Sequence, residues 1–231
     1  MSGTRLVLWD VDLTLVAAGP VGSELYAAAF ERVTGLPMRV VAPRAGRLDP
    51  DIFRETIEAH GLDPAAHPFS RFAAALSAVY SERSAELRER GRALPGAAEA
   101  LAALAALPRT VQSVLTGNVR AVAVVKLAAF GLDRHLDFWI GAYGADAAPR
   151  SRLVPLAQRR AGAKHRCTFD AASTVLIGDS RHDVAAGREG GARVVAVATG
   201  RDSEADLREA GAHAVLPDLT GTAALLRAVT G

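Results

Sequence analysis

The chain has 231 residues, 50% of them hydrophobic, and 27 Lys and Arg against 25 Asp and Glu give a formal net charge of +2. That length suits one large domain or a core with a smaller insertion, and the apolar share allows a substantial buried core. The scattered, nearly balanced charges argue against a nucleic-acid binder, no apolar run is long enough to span a membrane, and a lone Cys167 with no signal-peptide layout points to a cytoplasmic protein without an internal disulfide.

In chain order, residues 5–9 form an apolar run of strand length that ends in Asp10-Val11-Asp12-Leu13-Thr14. From about residue 16 to residue 94 the pattern is helical, with no convincing strand. Val21, Leu25, Tyr26, Phe30 and Val33 form the buried stripe of a first helix. A second starts with Asp49 as N-cap and Pro50 at its first position, buries Ile52, Phe53 and Ile57, and stops at Gly61. A third spans 69–90 and turns Phe72, Leu76, Val79, Tyr80 and Leu87 inward. The reading is a helical insertion, 16–94, within a core made of 1–15 and 95–231.

Beyond the insertion, helices are predicted at 97–107, 119–130, 153–161, 184–189 and 204–210. Four of them are stopped by Gly131, Gly162, Gly190 and Gly211, since glycine just past a helix end relieves a left-handed cap. Strands are predicted at 110–115, 173–177, 193–198 and 214–216. Alternating strands and helices imply an α/β fold with a parallel sheet covered on both faces.

The chemistry gathers at strand ends, where an open parallel sheet binds its ligands. Asp10 and Asp12 leave the first strand, and Gly178-Asp179-Ser180-Arg181-His182-Asp183 closes a later one. Carboxylates brought together repel unless a cation, a proton or chemistry holds them. One carboxylate can attack phosphorus, giving Asp10 the role of nucleophile. Its neighbour Asp12 can protonate the leaving oxygen and later activate water. The remaining negative charge calls for a hard divalent cation, Mg2+, with Asp10 and Asp179 as direct ligands and Asp183 direct or one shell out. Thr116, Gly117 and Asn118 close the second core strand and open a helix, so the Thr116 hydroxyl and the Gly117 and Asn118 amides form an anion cradle.

The set Asp10-Val11-Asp12-x-Thr14, Thr116-Gly117-Asn118 and Gly178-Asp179-x-x-x-Asp183 resembles the haloacid dehalogenase superfamily, and within it the phosphoglycolate phosphatase-like hydrolases. The resemblance extends to Gly46-Arg47-Leu48-Asp49, which looks like a substrate-facing cap loop and makes Arg47 a candidate substrate contact, and to the helix carrying Lys126-Leu127. It implies a Rossmann-like doubly wound core, a helical cap inserted after the first strand, Mg2+, a phospho-aspartate intermediate, and the Asp12 carbonyl as a further metal ligand. Two positions depart from the family pattern. Leu13 stands where many relatives have glycine, so an ordinary turn without positive φ is expected there. The third motif, a lysine in relatives, falls on Arg150, with Arg152 and Lys126 as alternatives; a guanidinium is planar and bidentate where an ammonium is a point charge.

Lys126 reads as an exposed helix residue and Arg44 as a weaker candidate for substrate contact than Arg47. The six histidines lack metal-ligand spacing, and Cys167 lacks a partner motif. The expected function is an Mg2+-dependent phosphatase that hydrolyses a small phosphorylated metabolite, phosphoglycolate-like, through an aspartyl-phosphate. The alternatives are a phosphosugar mutase of the same superfamily and a non-hydrolytic phosphoacceptor or binding protein. Oligomeric state is not legible.

Overall fold

In the computed structural model, residues 3–231 are described. From the N-terminal side, β1 (Arg5–Trp9) leads through a short strand, β2 (Val16–Ala17), into four helices, α1 (Gly19–Thr34), α2 (Asp49–Ala59), α3 (Phe69–Glu82) and α4 (Ser84–Arg90), and a second short strand, β3 (Arg92–Ala93). Alternation then sets in with α5 (Ala97–Ala105), β4 (Thr110–Thr116), α6 (Arg120–Ala129) and β5 (Ala142–Tyr143). A single 3-10 turn at Arg150–Arg152 precedes α7 (Leu153–His165), β6 (Thr174–Gly178), α8 (Arg181–Gly190), β7 (Arg193–Val197), α9 (Glu204–Glu209), β8 (Ala214–Leu216) and α10 (Thr222–Thr230).

The main sheet is parallel, in the order β5-β4-β1-β6-β7-β8. Its central strand explains the first apolar run: with helices on both faces, each side chain meets a core. Val7 and Trp9 pack with Leu101, Leu104 and Leu127, whereas Leu6 and Leu8 pack with Leu153, Val154 and Ala157 on the opposite face. The buried Trp9 indole donates to Gln112 Oε1 at 3.0 Å, and Gln112 donates to the Leu101 carbonyl at 2.9 Å, so neither polar group is stranded. Trp9 is in register with both Val114 and Ile177. Asp10, Thr116 and Asp179 therefore emerge together at the carboxyl rim of the sheet.

The helical insertion has its own core, in which Phe53 stacks on Phe72 with ring centroids 4.2 Å apart. This core also takes in Val119 and Val122, so the insertion rests on the start of α6. At its base β2 and β3 pair antiparallel, Val16 with Ala93 and Ala17 with Arg92, tying its two ends together.

Several predicted boundaries shift, each for a local reason. The single helix expected over 69–90 divides at Arg83, whose φ of −109° and ψ of 24° interrupt the helical run, leaving α3 and α4. Leu48 rather than Asp49 is the N-cap of α2. Gly162 does not stop its helix: α7 runs to His165 and ends on Arg166 in the left-handed region. A Cβ on Gly162 would lie 2.8 Å from the Cys167 carbonyl oxygen, so glycine serves the close return of the chain there. Likewise α8 passes through Gly190 and is capped by Gly191. The two-residue β5 and the terminal α10 carried too short or too plain a pattern to be anticipated. Among the described residues no helix is long and apolar enough to cross a membrane.

Candidate active site

Asp10 follows β1 directly, its amide donating to the Ile177 carbonyl at 2.8 Å and its side chain buried. The chain then turns sharply, with the Leu15 and Val16 amides both donating to the Val11 carbonyl at 3.0 Å. The turn is not the ordinary one expected: Leu13 adopts φ 62°, the left-handed region. That conformation costs a residue with a Cβ about 1 kcal/mol. It is held by bonds to both backbone groups of Leu13, whose amide donates to Val16 O at 2.8 Å and whose carbonyl accepts from Thr199 Oγ1 at 2.6 Å.

Asp179 and Asp183 come from the end of β6 and the first turn of α8. Ser180 caps that helix by accepting from the Asp183 amide at 3.2 Å, and its hydroxyl donates to Asp183 Oδ2 at 2.6 Å. Thr14 donates to Asp179 Oδ1 at 3.2 Å. Asp10, Asp179 and Asp183, all buried, each offer an oxygen within 4.8 Å of the others. Burial, then the charge of Asp183, pushes the Asp10 carboxyl up to about 7 even though Arg150 pulls the other way. Burial together with Asp183 and Asp10 pushes Asp179 up to about 9. Three buried carboxylates side by side, with Asp10 and Asp179 pushed up by the crowding, are a donor set suited to a hard divalent cation, which would remove the penalty.

The cations divide between the two acidic groups. Arg150, in the turn before α7 and only 9% exposed, donates from Nη2 to Asp10 Oδ1 at 2.9 Å and to Asp183 Oδ1 at 2.5 Å. Despite burial, these two carboxylates keep it firmly protonated. Arg152, its neighbour in the same turn, is exposed. Lys126 corrects the expectation of an exposed helix residue: it is 1% exposed, and its Nζ lies 2.7 Å from both Asp12 oxygens and 2.6 Å from Asn118 Oδ1. It is buried because α3 and α4 pack on the face of α6 that carries it, with its Nζ 5.5 Å from the Tyr80 ring centroid. Burial disfavours charge on Asp12, but Lys126 and an Asn118 Nδ2 bond of 2.8 Å outweigh it and hold this carboxyl below its ordinary range.

Thr116, the last residue of β4, is buried and accepts from the Asn118 amide at 3.3 Å. Gly117 is where the insertion meets the core. A Cβ on it would lie 1.9 Å from the Arg47 carbonyl oxygen. The Asp49 amide donates to Gly117 O at 2.9 Å, and the Val119 amide donates to Asp49 Oδ2 at 3.0 Å. Asp49 thus reaches across from the insertion to the loop before α6, a role its reading as the N-cap of α2 did not anticipate. Burial raises its carboxyl to about 6 although Lys126 and Arg44 oppose the shift.

A cavity of about 230 Å³ lies over this rim, lined from the core by Asp10, Asp12, Thr116, Asn118, Arg150 and Asp179. Arg44, Arg47 and Asp49 line it from the insertion, and Arg201 from the loop after β7. Arg47 turns its guanidinium to Glu55 and to the Pro43 carbonyl at 3.2 Å. Arg44 instead lies over the Tyr26 ring, 4.8 Å from its centroid. Arg201 was not singled out by the sequence, and no local pattern marks it. Lys126 did carry a signal, because Val122, Ala123 and Leu127 place it on the apolar face of its helix.

Residues 149–222 match a family described as HAD-hydrolase-like. Over 229 residues the chain is 31% identical to the plasmid phosphoglycolate phosphatase of Cupriavidus necator, covering 95% of this chain and 92% of that one. Among solved structures, a hydrolase from Pseudomonas syringae superimposes with a TM-score of 0.67 at 20% identity, covering 99% of this chain and 100% of that one. A predicted phosphoglycolate phosphatase from Haemophilus somnus 129pt does so with a TM-score of 0.65 at 18% identity, covering 98% and 99%.

Proposed function

The chain belongs to the haloacid dehalogenase-like hydrolases and is a phosphatase of that family, and from this premise we propose that it hydrolyses a small phosphate monoester, phosphoglycolate-like, with Mg2+ and through an aspartyl-phosphate on Asp10. The observation that carries this reading is the meeting of Asp10, Asp179 and Asp183 within 4.8 Å at the sheet rim, with Arg150 between Asp10 and Asp183. In it, residues 16–94 act as a cap over a catalytic core formed by 1–15 and 95–231.

In the proposed reaction an Asp10 oxygen forms a bond to phosphorus as the bond from phosphorus to the alcohol oxygen breaks, and the Asp12 carboxyl passes its proton to that oxygen. Water then attacks the acyl phosphate, Asp12 takes its proton, and phosphate leaves with the Asp10 carboxylate restored. Lys126 suits Asp12 to the second step by favouring its ionised form, and it fixes both carboxylate oxygens in place. Arg150, Thr116, Gly117 and Asn118 would hold the phosphoryl oxygens. Asp10, Asp179, Asp183 and the Asp12 carbonyl would hold Mg2+, which when bound offsets the crowded carboxylates and the charge on the phosphoryl group. Closing the cap over the pocket would exclude bulk water.

A phosphate-release screen across small phosphorylated metabolites, with and without Mg2+, tests the reading. Release that requires the cation, and that Asp10→Asn lowers by about a thousandfold or more, is the expected result. Undiminished turnover in Asp10→Asn would remove the nucleophile. Interconversion of phosphosugar isomers without net release would point to the mutase instead.

A further inference from the structure

The cations around the pocket are unequally occupied. Arg150 is committed to Asp10 and Asp183, Lys126 to Asp12, and Arg47 to Glu55. Among the described residues, Arg44 and Arg201 line the same pocket without pairing with any carboxylate. Of the two, Arg201 is exposed on its loop, whereas Arg44 is partly buried and seated on Tyr26. Its guanidinium lies over the Tyr26 ring at 4.8 Å, and its one hydrogen bond is a long contact of 3.4 Å to the Gly22 carbonyl. An arginine cannot shed its charge, and stacking on an aromatic face leaves the edge of its planar fork of donors available. A fixed guanidinium with most of its donors unused, on the cap side of a pocket whose floor would take the phosphoryl group, is a receptor for a second anion.

We propose that Arg44 receives a second anionic group of the substrate, so that the enzyme selects short phosphomonoesters whose alcohol portion ends in a carboxylate or a second phosphate. This deepens the phosphatase reading above and rests on it. It also moves the cap-side contact from Arg47, whose donors Glu55 already engages, to Arg44. Arg44 acts on the Asp12 and Asp49 charges through space yet forms no ion pair with either: Asp12 has both oxygens on Lys126, and Asp49 accepts from the Val119 amide.

The test compares three two-carbon esters that share a phosphate and differ at the far end: phosphoglycolate, ethane-1,2-diol bisphosphate and 2-hydroxyethyl phosphate. Wild type is expected to prefer one or both doubly anionic esters over the neutral-ended one. In Arg44→Met that selectivity in kcat/KM should fall by about thirtyfold, chiefly through KM, because a charge-assisted contact is lost. Arg44→Lys should keep an intermediate selectivity. Whichever of the carboxylate and phosphate esters loses more identifies the anion. Equal losses on all three esters would make Arg44 a structural or charge-balancing residue and overturn the proposal, as would wild-type indifference to the far end. Calorimetric titration of the same esters into Asp10→Asn, with Arg44 intact or replaced by Met, reads the subsite without turnover. If no ester is hydrolysed yet anionic ends still bind through Arg44, the phosphatase chemistry fails and the subsite stands; if hydrolysis proceeds without selectivity, the reverse holds.

Discussion

Asp12 must carry a proton in the first half of the proposed reaction and lose it in the second, and its surroundings favour the second state. Lys126 and Asn118 both bond its carboxylate, Lys126 at 2.7 Å from each oxygen. Replacing it by asparagine separates the two halves. With p-nitrophenyl phosphate, whose leaving group departs without help from an acid, Asp12→Asn should release about one equivalent of p-nitrophenolate per enzyme and then stall, because nothing activates the water. Rapid-mixing absorbance measures the burst; steady turnover after it would show that another group serves as base. Asp10, Asp12 and Asp179 were legible in the sequence because they stand at or just past strand ends, where side-chain direction and sheet topology leave little choice, and Asp183 because it follows Asp179 in the first turn of α8. Lys126 was misread because a lysine stem usually lets its head reach water. The apolar neighbours at helical spacing were visible, but not the helices that would close over them. Leu13 was misread because a residue with a Cβ is the wrong prior for φ 62°, and only the Val16 and Thr199 bonds holding its two backbone groups show why it is tolerated.

Among the elements, what the sequence concealed is the seam between insertion and core. The strands of the sheet were readable as apolar runs and the insertion as an interruption, since periodicity is a local property. The docking of residues 47–49 on 117–119 joins segments far apart in sequence, and no periodicity encodes it. At that seam Gly117 permits a backbone approach that no side chain allows, its virtual Cβ being 1.9 Å from Arg47 O. Gly117→Ala should therefore push the loop 43–49 off the core while leaving the sheet folded. The expected outcome is a fall in kcat/KM of about tenfold or more, with faster amide exchange confined to 43–49 and the start of α6. Gly221→Ala provides the contrast, because its Cβ would meet only Ala224 Cβ at 3.7 Å. Unchanged exchange in 43–49 in the Gly117 variant would mean that the seam is not closed in solution.

For the molecule as a whole, the cluster that serves the proposed chemistry sets stability against pH. Asp10 at about 7 and Asp179 at about 9 both lie above their unfolded value of 3.8, and Asp49 at about 6 acts in the same direction. Between roughly pH 4 and pH 9 these three groups therefore bind more protons in the folded chain than in the unfolded one, and the stability they contribute falls as pH rises through that window. Asp12, held low, contributes with the opposite sign, but its contribution is lost only on the acid side, below the ordinary carboxylate range. A cation bound by the folded state alone adds stability by mass action, and because it competes with protons for the same oxygens its effect should grow with pH. Chelator-treated protein should accordingly melt at a lower temperature at pH 9 than at pH 6, and millimolar Mg2+ should restore most of the difference at pH 9 while adding little at pH 6. Differential scanning calorimetry across that range, with EDTA and with Mg2+, makes the measurement. Asp179→Asn should flatten the EDTA curve between about pH 7 and pH 9, where Asp179 titrates, and abolish the Mg2+ increment together, since that carboxylate contributes to both. A loss above pH 7 that survived undiminished in Asp179→Asn would show that Asp179 is not its source.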